Sequence, residues 1–267
     1  MTDATAIGNP LREPKTILRR YAMFGVATLF VLVVAYDIII LETDWARMGS
    51  LEEMVKTTLF FVPEWSFFPK TVVPLLETLL IALWGTTLAV VVSLPIAYLA
   101  ARNISPMPWL TYPLGRMLIV LSRSTHEIIF ALIYVSALGL GPLPGILALA
   151  SRSLGFLAKT TAESIENANP GPIEAMQATG ANPLMVFCFG VMPQIFPIFV
   201  GNVIFQLDIN IRRASILGLV GGGGIGLMFG EVMQNLQYGR AGMIVVGITA
   251  MVVMGEFMSN RIRQRLI

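Results

Sequence analysis

Apolar runs long enough to cross a lipid bilayer recur along this sequence and constrain its fold more than any other feature. Residues 21–41 carry one charged side chain, Asp37, and residues 71–101 carry none after Glu77. A helix that crosses a bilayer needs about 20 predominantly apolar residues. Charged residues make up 13% of the chain, about half of their share in soluble domains. We therefore expect an all-α polytopic membrane protein, and we exclude disordered, disulfide-stapled and ordinary soluble proteins.

The spacing of these runs predicts about six transmembrane helices. They are expected at residues 21–41, 71–101, 112–138, 146–160, 184–207 and 241–258. Basic residues gather near both termini and at the turn that contains Arg102, whereas the first long connection is acidic. Because basic residues favour cytoplasmic connections, we expect both termini and residues 161–183 in the cytoplasm, and residues 208–240 outside.

Residues 170–183 have the features of a short helix between two predicted spans. Pro172 suits the first turn, Glu174 complements the positive end of the helix dipole, and Gly180 suits a left-handed C-terminal residue. A short helix of this kind can insert into a groove of a partner protein. It can equally be a plain connector between two spans, and these residues alone leave both interpretations open.

The same segment resembles the EAA signature of importer-type ABC transporter permeases, the MetI-like family. Glu174 and Ala175 begin the signature, Gly180 follows the glutamate by six residues, and a proline comes thirteen residues later at Pro193. The sequence departs from the family pattern at Met176, Gly190 and Met192. The resemblance implies that this segment is a cytoplasmic coupling helix, which sits in a cleft of a separate ATPase subunit. The residues expected to contact that subunit are Glu174, Ala175, Thr179 and Gly180.

Three further patches resemble the phosphonate permeases of that family, the PhnE type. They are residues 139–149, 192–197 and 210–226. His126 departs from that subfamily, in which a proline is typical. The resemblance implies a type I importer permease fold in the bacterial inner membrane. Its expected parts are a cytoplasmic tail at residues 1–20, a first transmembrane helix with a periplasmic segment at 21–70, and the permease core at 71–267.

The expected partners also follow from the resemblance. They are two copies of an ABC ATPase subunit, a second copy of this chain, a periplasmic phosphonate-binding protein and the lipid bilayer. The sequence has no G-x-x-x-x-G-K-[ST] motif, so ATP hydrolysis is expected in the separate subunit and not in this transport subunit. We expect no cofactor, no metal site from one His and one Cys, and no nucleic-acid partner at a net charge of +2.

Two adjacent arginines, Arg212 and Arg213, precede a run of four glycines at residues 221–224. Arginine at membrane depth is costly unless it faces water, a partner or an anion, and its guanidinium group matches two phosphonate oxygens. The glycine amides could also approach an anion closely. We therefore expect Arg212, Arg213, Arg123 and Ser124 to line a substrate path. Alternatively, the arginines anchor a helix at the outer interface and the glycines permit a bend.

Two other functions are compatible with the residues. A permease of this family can carry a different small solute. An intramembrane hydrolase could use Ser124, His126 and Glu127, but spacings of two and three residues do not place all three on one helix face. A buried ionic pair between Glu127 and Arg123 is the expected arrangement instead.

Overall fold

The computed structural model of the protein describes residues 14–41 and 50–266. The regular secondary structure of these residues is helical and includes no strand, which confirms the all-α prediction for them. Residues 1–13 of the predicted tail and residues 42–49 of the acidic connection lie outside the described residues. The chain divides into two compact units, residues 1–58 and 59–267.

The first unit contains one long apolar helix and one short polar helix. Helix α1, Pro14–Tyr36, continues as a π-helical turn, Asp37–Leu41. The segment Arg19–Leu41 is long and apolar enough to cross a membrane, which confirms the first predicted span. Helix α2, Leu51–Leu59, begins at a capping box in which Ser50 N–H donates to Glu53 Oε2 (3.0 Å) and Glu53 N–H donates to Ser50 Oγ (3.2 Å). This pair satisfies two N–H groups at the start of the helix.

The second unit contains the remaining helices. They are α3 (Phe68–Ala100), α4 (Thr111–Ser124), α5 (Glu127–Leu138), α6 (Pro142–Glu166), α7 (Pro170–Ala178), α8 (Pro183–Met185), α9 (Met192–Leu217), α10 (Gly224–Gln234) and α11 (Tyr238–Leu266). A π-helical segment, Val186–Val191, joins α8 to α9, and a 3-10 turn, Gly218–Val220, follows α9.

Three stretches of the second unit are long and apolar enough to cross a membrane: Trp65–Ala100, Pro183–Val220 and Tyr238–Gln264. They confirm the second, fifth and sixth predicted spans. The predicted end of the fifth span at residue 207 is wrong, because α9 continues through the first part of the segment that was assigned to the outside. Polar residues in this extension have partners inside the core, so the helix need not end where its apolar run ends.

The third predicted span is broken. Helices α4 and α5 are bent by 90° across Thr125 and His126, so the prediction of one continuous span over residues 112–138 is wrong in its geometry. Thr125 is extended, and His126 caps α5 by accepting the N–H of Ile128 at its Nδ1 atom (3.3 Å). The second helix therefore has its own satisfied start in the middle of an apolar run.

The fourth predicted span corresponds to α6, which is longer and less apolar than residues 146–160 suggested. It carries Arg152 and Lys159 and is not among the helices that could cross a membrane by composition alone. Instead it lies in the centre of the unit, in contact with α3, α4, α5 and α9. A helix surrounded by protein needs little lipid-facing apolar surface, which explains its low hydropathy. With α6 and the bent pair included, about six crossings are compatible with the fold.

Small residues allow α6 to pack closely on its neighbours, as is common between helices in membranes. A Cβ atom on Gly85 of α3 would lie 2.9 Å from Leu149 Cβ and 3.2 Å from the Ile146 carbonyl oxygen. On the other side of α6, a Cβ atom on Gly155 would lie 2.7 Å from Arg123 Cγ. Larger side chains at these glycines would therefore force the helices apart.

A buried polar layer joins α3, α6 and α9. Its members are Thr86, Ser153, Gln206 and Asn210, each no more than 3% exposed. Asn210 Nδ2 donates to Thr86 Oγ1 and to Ser153 Oγ, both at 2.9 Å. Thr86 is near the middle of α3, about 27 Å from its first residue and about 21 Å from its last at 1.5 Å per residue. The polar layer is therefore at the middle depth of the helical unit.

Candidate coupling helix and transport path

The predicted short helix at residues 170–183 is confirmed as α7, with both of its ends defined. Asn169 caps the start, where its Oδ1 accepts the N–H of Gly171 at 3.0 Å. Pro170 and Pro172 occupy the first turn, where a missing N–H costs nothing. Gly180 follows the helix with φ of +77°, the left-handed conformation expected for it. The capping role of Asn169 was not predicted, although asparagine before a proline-containing first turn is a recognisable signal.

Helix α7 is held against the unit by two apolar side chains, Ile173 and Met176, and by the amide of Gln194. Ile173 is 9% exposed and belongs to an apolar cluster with Val186 and Val191 of the π-helical segment. Gln194 Oε1 accepts the Asn169 N–H at 3.0 Å, and its Nε2 donates to the Gly190 carbonyl oxygen at 2.6 Å. These hydrogen bonds join the start of α7 to the beginning of α9.

The C-terminal end of α6, which leads into α7, is anchored by a two-pronged ion pair. Arg116 Nη2 lies 2.8 Å and 2.9 Å from the two carboxylate oxygens of Glu166, and Arg116 Nε donates to the Ala100 carbonyl oxygen at 3.0 Å. Glu166 Oε1 also accepts the backbone N–H of Arg102 at 2.9 Å. These contacts tie α3, α4 and α6 together at the end of the unit that carries α7.

The four predicted coupling residues are all exposed at the surface, on α7 or directly after it. Glu174, Ala175, Thr179 and Gly180 are exposed, while Ile173 faces inward. Among the described residues, Glu174 makes no ion pair. An open cavity of about 450 Å³ lies beside the start of α7, between the end of α6 and the beginning of α9. The arrangement is a rigidly held helix whose outer face is free to receive another surface.

The two predicted path arginines on α9 are separated by the structure. Arg212 Nη2 lies 2.6 Å from Asp208 Oδ2, one turn earlier on α9, and 3.7 Å from Glu256 Oε2 on α11. Arg213 points elsewhere, and its Nε lies 3.2 Å from Glu127 Oε1. Adjacent residues on a helix face different directions, so the pair does not form the one concentrated patch that the sequence suggested.

Glu127 lies between two arginines that come from different helices. Arg152 Nε of α6 is 3.9 Å from Glu127 Oε2, on the other side from Arg213. The Glu127 side chain is 10% exposed, against 26% for Arg213 and 23% for Arg152. The predicted pair between Glu127 and Arg123 is therefore wrong in its partner. Arg152 was not predicted as a functional residue. The only sequence signal for it is that it is an arginine within an apolar helix.

The remaining predicted path residues surround the break between α4 and α5. Arg123 and Ser124 are exposed, and the stem of Arg123 packs beside Gly155, one turn along α6 from Arg152. Ser124 Oγ donates to the Leu121 carbonyl oxygen at 3.1 Å. His126 Nε2 lies 3.8 Å from Glu127 Oε2 while its Nδ1 caps α5. Ser124 and His126 are thus engaged locally and do not form the nucleophile and base that a hydrolase requires.

Three of the four glycine amides make hydrogen bonds within the chain and do not face an anion in this structure. Gly224 N–H donates to Glu77 Oε1 at 3.1 Å, and Gly222 N–H donates to the Leu217 carbonyl oxygen at 3.0 Å. Gly221 N–H donates to the Gly218 carbonyl oxygen at 3.0 Å, and Gly221 has φ of +91°. These residues are buried. The amides of Gly221, Gly222 and Gly224 are therefore occupied by a carboxylate and by carbonyl groups of the chain itself, which contradicts the hypothesis that they face an anion.

Comparison with known proteins places the chain in a family of transport proteins. Residues 93–266 match the family described as "Binding-protein-dependent transport system inner membrane component". The chain belongs to this family and is thus a membrane-embedded component of a transport system.

Two relatives of the chain are permease proteins named for phosphorus compounds. The chain is 40% identical over 72% of its length to the phosphate-import permease protein PhnE of Mycolicibacterium smegmatis, of which the match spans only 36%. It is 38% identical over 76% of its length to the phosphite transport system permease protein PtxC of Stutzerimonas stutzeri, of which the match spans 73%. The MetNI methionine ABC transporter contains a chain with the same fold, at a TM-score of 0.65 and 21% identity, over 76% of this chain and 99% of that one.

Proposed function

We propose that this chain is the permease subunit of an ABC importer for a phosphorus oxyanion of the phosphonate or phosphite class. In this proposal a binding protein delivers the substrate to the outer face and a separate ATPase drives the transport cycle. The observation that carries the proposal is an exposed, rigidly anchored α7 bearing Glu174 and Gly180, in a chain of the transport-component family. The names of the two relatives support the substrate class.

The proposed coupling follows from how α7 is attached. Its exposed face, with Glu174, Ala175, Thr179 and Gly180, would sit in a cleft of the ATPase. The hydrogen bonds of Gln194 to Asn169 and Gly190 link α7 to α9, the helix that carries Arg213. Closure of two ATPase subunits would then move two such helices, which requires two permease chains. A homodimer supplies them most simply.

We also propose the orientation of this subunit. Both termini and α7 would be cytoplasmic, and the glycine run would lie toward the outside of the inner membrane. The basic residues at the end of α11, Arg261 and Arg263, support this assignment because cytoplasmic ends of spans are enriched in arginine and lysine. The permease core would comprise residues 71–267, and the first helix would be an addition to it.

Uptake by the reconstituted complex tests this function. The chain would be co-expressed with the ATPase and binding protein from its own operon and incorporated into vesicles. Radiolabelled phosphite, methylphosphonate and methionine would then be supplied at the outer face, with and without ATP. We expect ATP-dependent uptake of a phosphorus oxyanion and none of methionine.

The outcomes separate the two candidate substrate classes. Uptake of methionine but neither phosphorus compound would assign a different small solute and refute the substrate proposal. ATP hydrolysis that does not respond to the binding protein, with no uptake of any of the three, would refute the role as an importer permease.

A further inference from the structure

Charge is unbalanced where α5 begins, at the middle depth of the unit. Glu127 is the one carboxylate between the guanidinium groups of Arg152 and Arg213, and the stem of Arg123 packs nearby at Gly155. Arg213 follows Asn210 of the buried polar layer by three residues, and Arg152 directly precedes Ser153 of the same layer. Two partly buried positive charges with one negative charge between them are unfavourable at this depth unless water or another anion is present.

The guanidinium groups have unused hydrogen-bonding capacity. An arginine has five N–H donors, and each of these two approaches Glu127 only through its Nε atom. Among the described residues, Arg152 and Arg213 have no further ion pair or hydrogen bond. The only completely buried side-chain atom without a partner in the described part of the chain is Thr161 Oγ1. The remaining guanidinium N–H groups are therefore accessible from the surface and not enclosed in the core.

The hold of Glu127 on the two arginines is incomplete. Its contact to Arg152 is 3.9 Å, which is too long for a hydrogen bond. Among the described residues, no hydrogen bond fixes the Glu127 carboxylate. His126 Nε2 also approaches it, but lies 3.8 Å from Glu127 Oε2 on a side chain that is 63% exposed. Because Arg152 and Arg213 approach the two oxygens of this one carboxylate, their fork-shaped donors can converge on one tetrahedral anion in its place.

We propose that Arg152 and Arg213 form an anion site at the break between α4 and α5, and that Glu127 occupies this site as an internal competitor when no substrate is present. This proposal rests on the proposed function and names the residues through which a phosphorus oxyanion passes. The incoming anion displaces the Glu127 carboxylate from both arginines, and the carboxylate returns as the anion leaves.

The competitor gives the site a property that a transporter needs. An arginine pair alone would hold a dianion tightly and slow its release. A carboxylate on the same scaffold has a high effective concentration, so it weakens binding and speeds the exit of the anion. Arg212 is outside this site, because Asp208 neutralises it at 2.6 Å.

Phosphorus NMR tests the site directly. The probe is phosphite, whose 31P line broadens when it binds to the purified permease–ATPase complex in detergent, without the binding protein. We expect Arg152→Gln and Arg213→Gln to weaken binding at least about tenfold, since each removes one charge-assisted contact. Arg212→Gln is the matched control and should bind as the wild type does. Glu127→Gln should bind phosphite more tightly and yet transport it more slowly.

Several results would overturn the site. Equal broadening in Arg213→Gln and Arg212→Gln would do so, as would binding that is unchanged or weaker in Glu127→Gln. If Arg213→Gln does not assemble, Arg213→Lys keeps the charge without the fork and should show intermediate binding. Basal ATPase activity of each variant checks assembly.

The site and the proposed function can fail separately. Wild-type uptake of phosphite together with variants that all bind alike would remove the site and leave the function. Arginine-dependent broadening without phosphite uptake would remove the proposed substrate and leave an anion site.

Discussion

Replacing Asn210 by alanine should destabilise the protein by removing the centre of the buried polar layer. Asn210 is 0% exposed. Its Oδ1 accepts from Ser153 Oγ and from Gln206 Nε2, each at 3.1 Å, and its Nδ2 donates to Thr86 Oγ1 and Ser153 Oγ. The change therefore removes every one of these contacts among α3, α6 and α9 at once.

The size of the effect follows from those contacts. A hydrogen bond between helices in a membrane contributes about 0.6 kcal/mol on average, so losing all the contacts of Asn210 costs about 2–3 kcal/mol. Two of the former partners remain satisfied, because Thr86 Oγ1 still donates to the Ala82 carbonyl oxygen and Gln206 Nε2 still donates to Ser153 Oγ. A penalty for orphaned groups is therefore small, and the estimate stays near this value.

The measurement is the free energy of unfolding of the full chain in mixed micelles, by denaturant titration. Asn235→Ala is the matched control, because Asn235 is exposed and its side chain donates only to the Glu231 carbonyl oxygen. We expect at most about 0.5 kcal/mol for the control, the typical limit for a surface change. A loss for Asn210→Ala no larger than that of Asn235→Ala would refute the view that the polar layer holds the three helices together.

Three further predictions concern coupling, anchoring and topology. Gly180→Val should lower ATP-driven uptake without preventing membrane insertion, because a side chain at φ of +77° costs about 1–2 kcal/mol locally. The control Gly171→Ala, at a helical position of α7, should leave uptake unchanged. Equal uptake by both variants would contradict the coupling role. Glu166→Gln should lower the free energy of unfolding by about 1–2 kcal/mol, since it weakens an ion pair between partly buried groups. The control Glu163→Gln changes a more exposed ion pair and should lower the free energy of unfolding by less than about 0.5 kcal/mol. Equal losses in the two denaturant titrations would show that the Glu166 pair does not anchor α6. A reporter fused after residue 265 should be active only in the cytoplasm and one inserted near Glu52 only outside, and activity on one side for both would contradict the proposed orientation.

Local signals were sufficient to predict α7. The prolines at the start and the glycine after the end act within a few residues of the helix, and the structure shows both in their expected places. The expected place of Glu174 in the first turn is wrong, because α7 begins at Pro170 and Glu174 is beyond its first turn. The long apolar helices were predictable for a similar reason, since the bilayer imposes the same length and composition on any crossing helix.

The predictions failed where distant residues decide the outcome. Helix α9 continues past its apolar run because Asn210 finds Thr86, which is 124 positions away in the sequence. The sequence of helix α6 has too low a hydropathy to be recognised as a span, because other helices, and not lipid, surround it. The partner of Glu127 could not be read from its neighbour Arg123, because the nearest guanidinium groups belong to α6 and α9.

By itself, the sequence determined that this chain is helical, embedded in a membrane and equipped with a short capped helix between two spans. These properties depend on hydropathy and on contacts within one or two turns, both of which are written along the chain. Only the tertiary structure decided that Arg212 and Arg213 contact different partners, that three of the four glycine amides are already occupied and that Glu127 lies between Arg152 and Arg213. Those facts depend on how helices pack side by side, and ion pairs between helices are set by that packing and not by distance along the sequence.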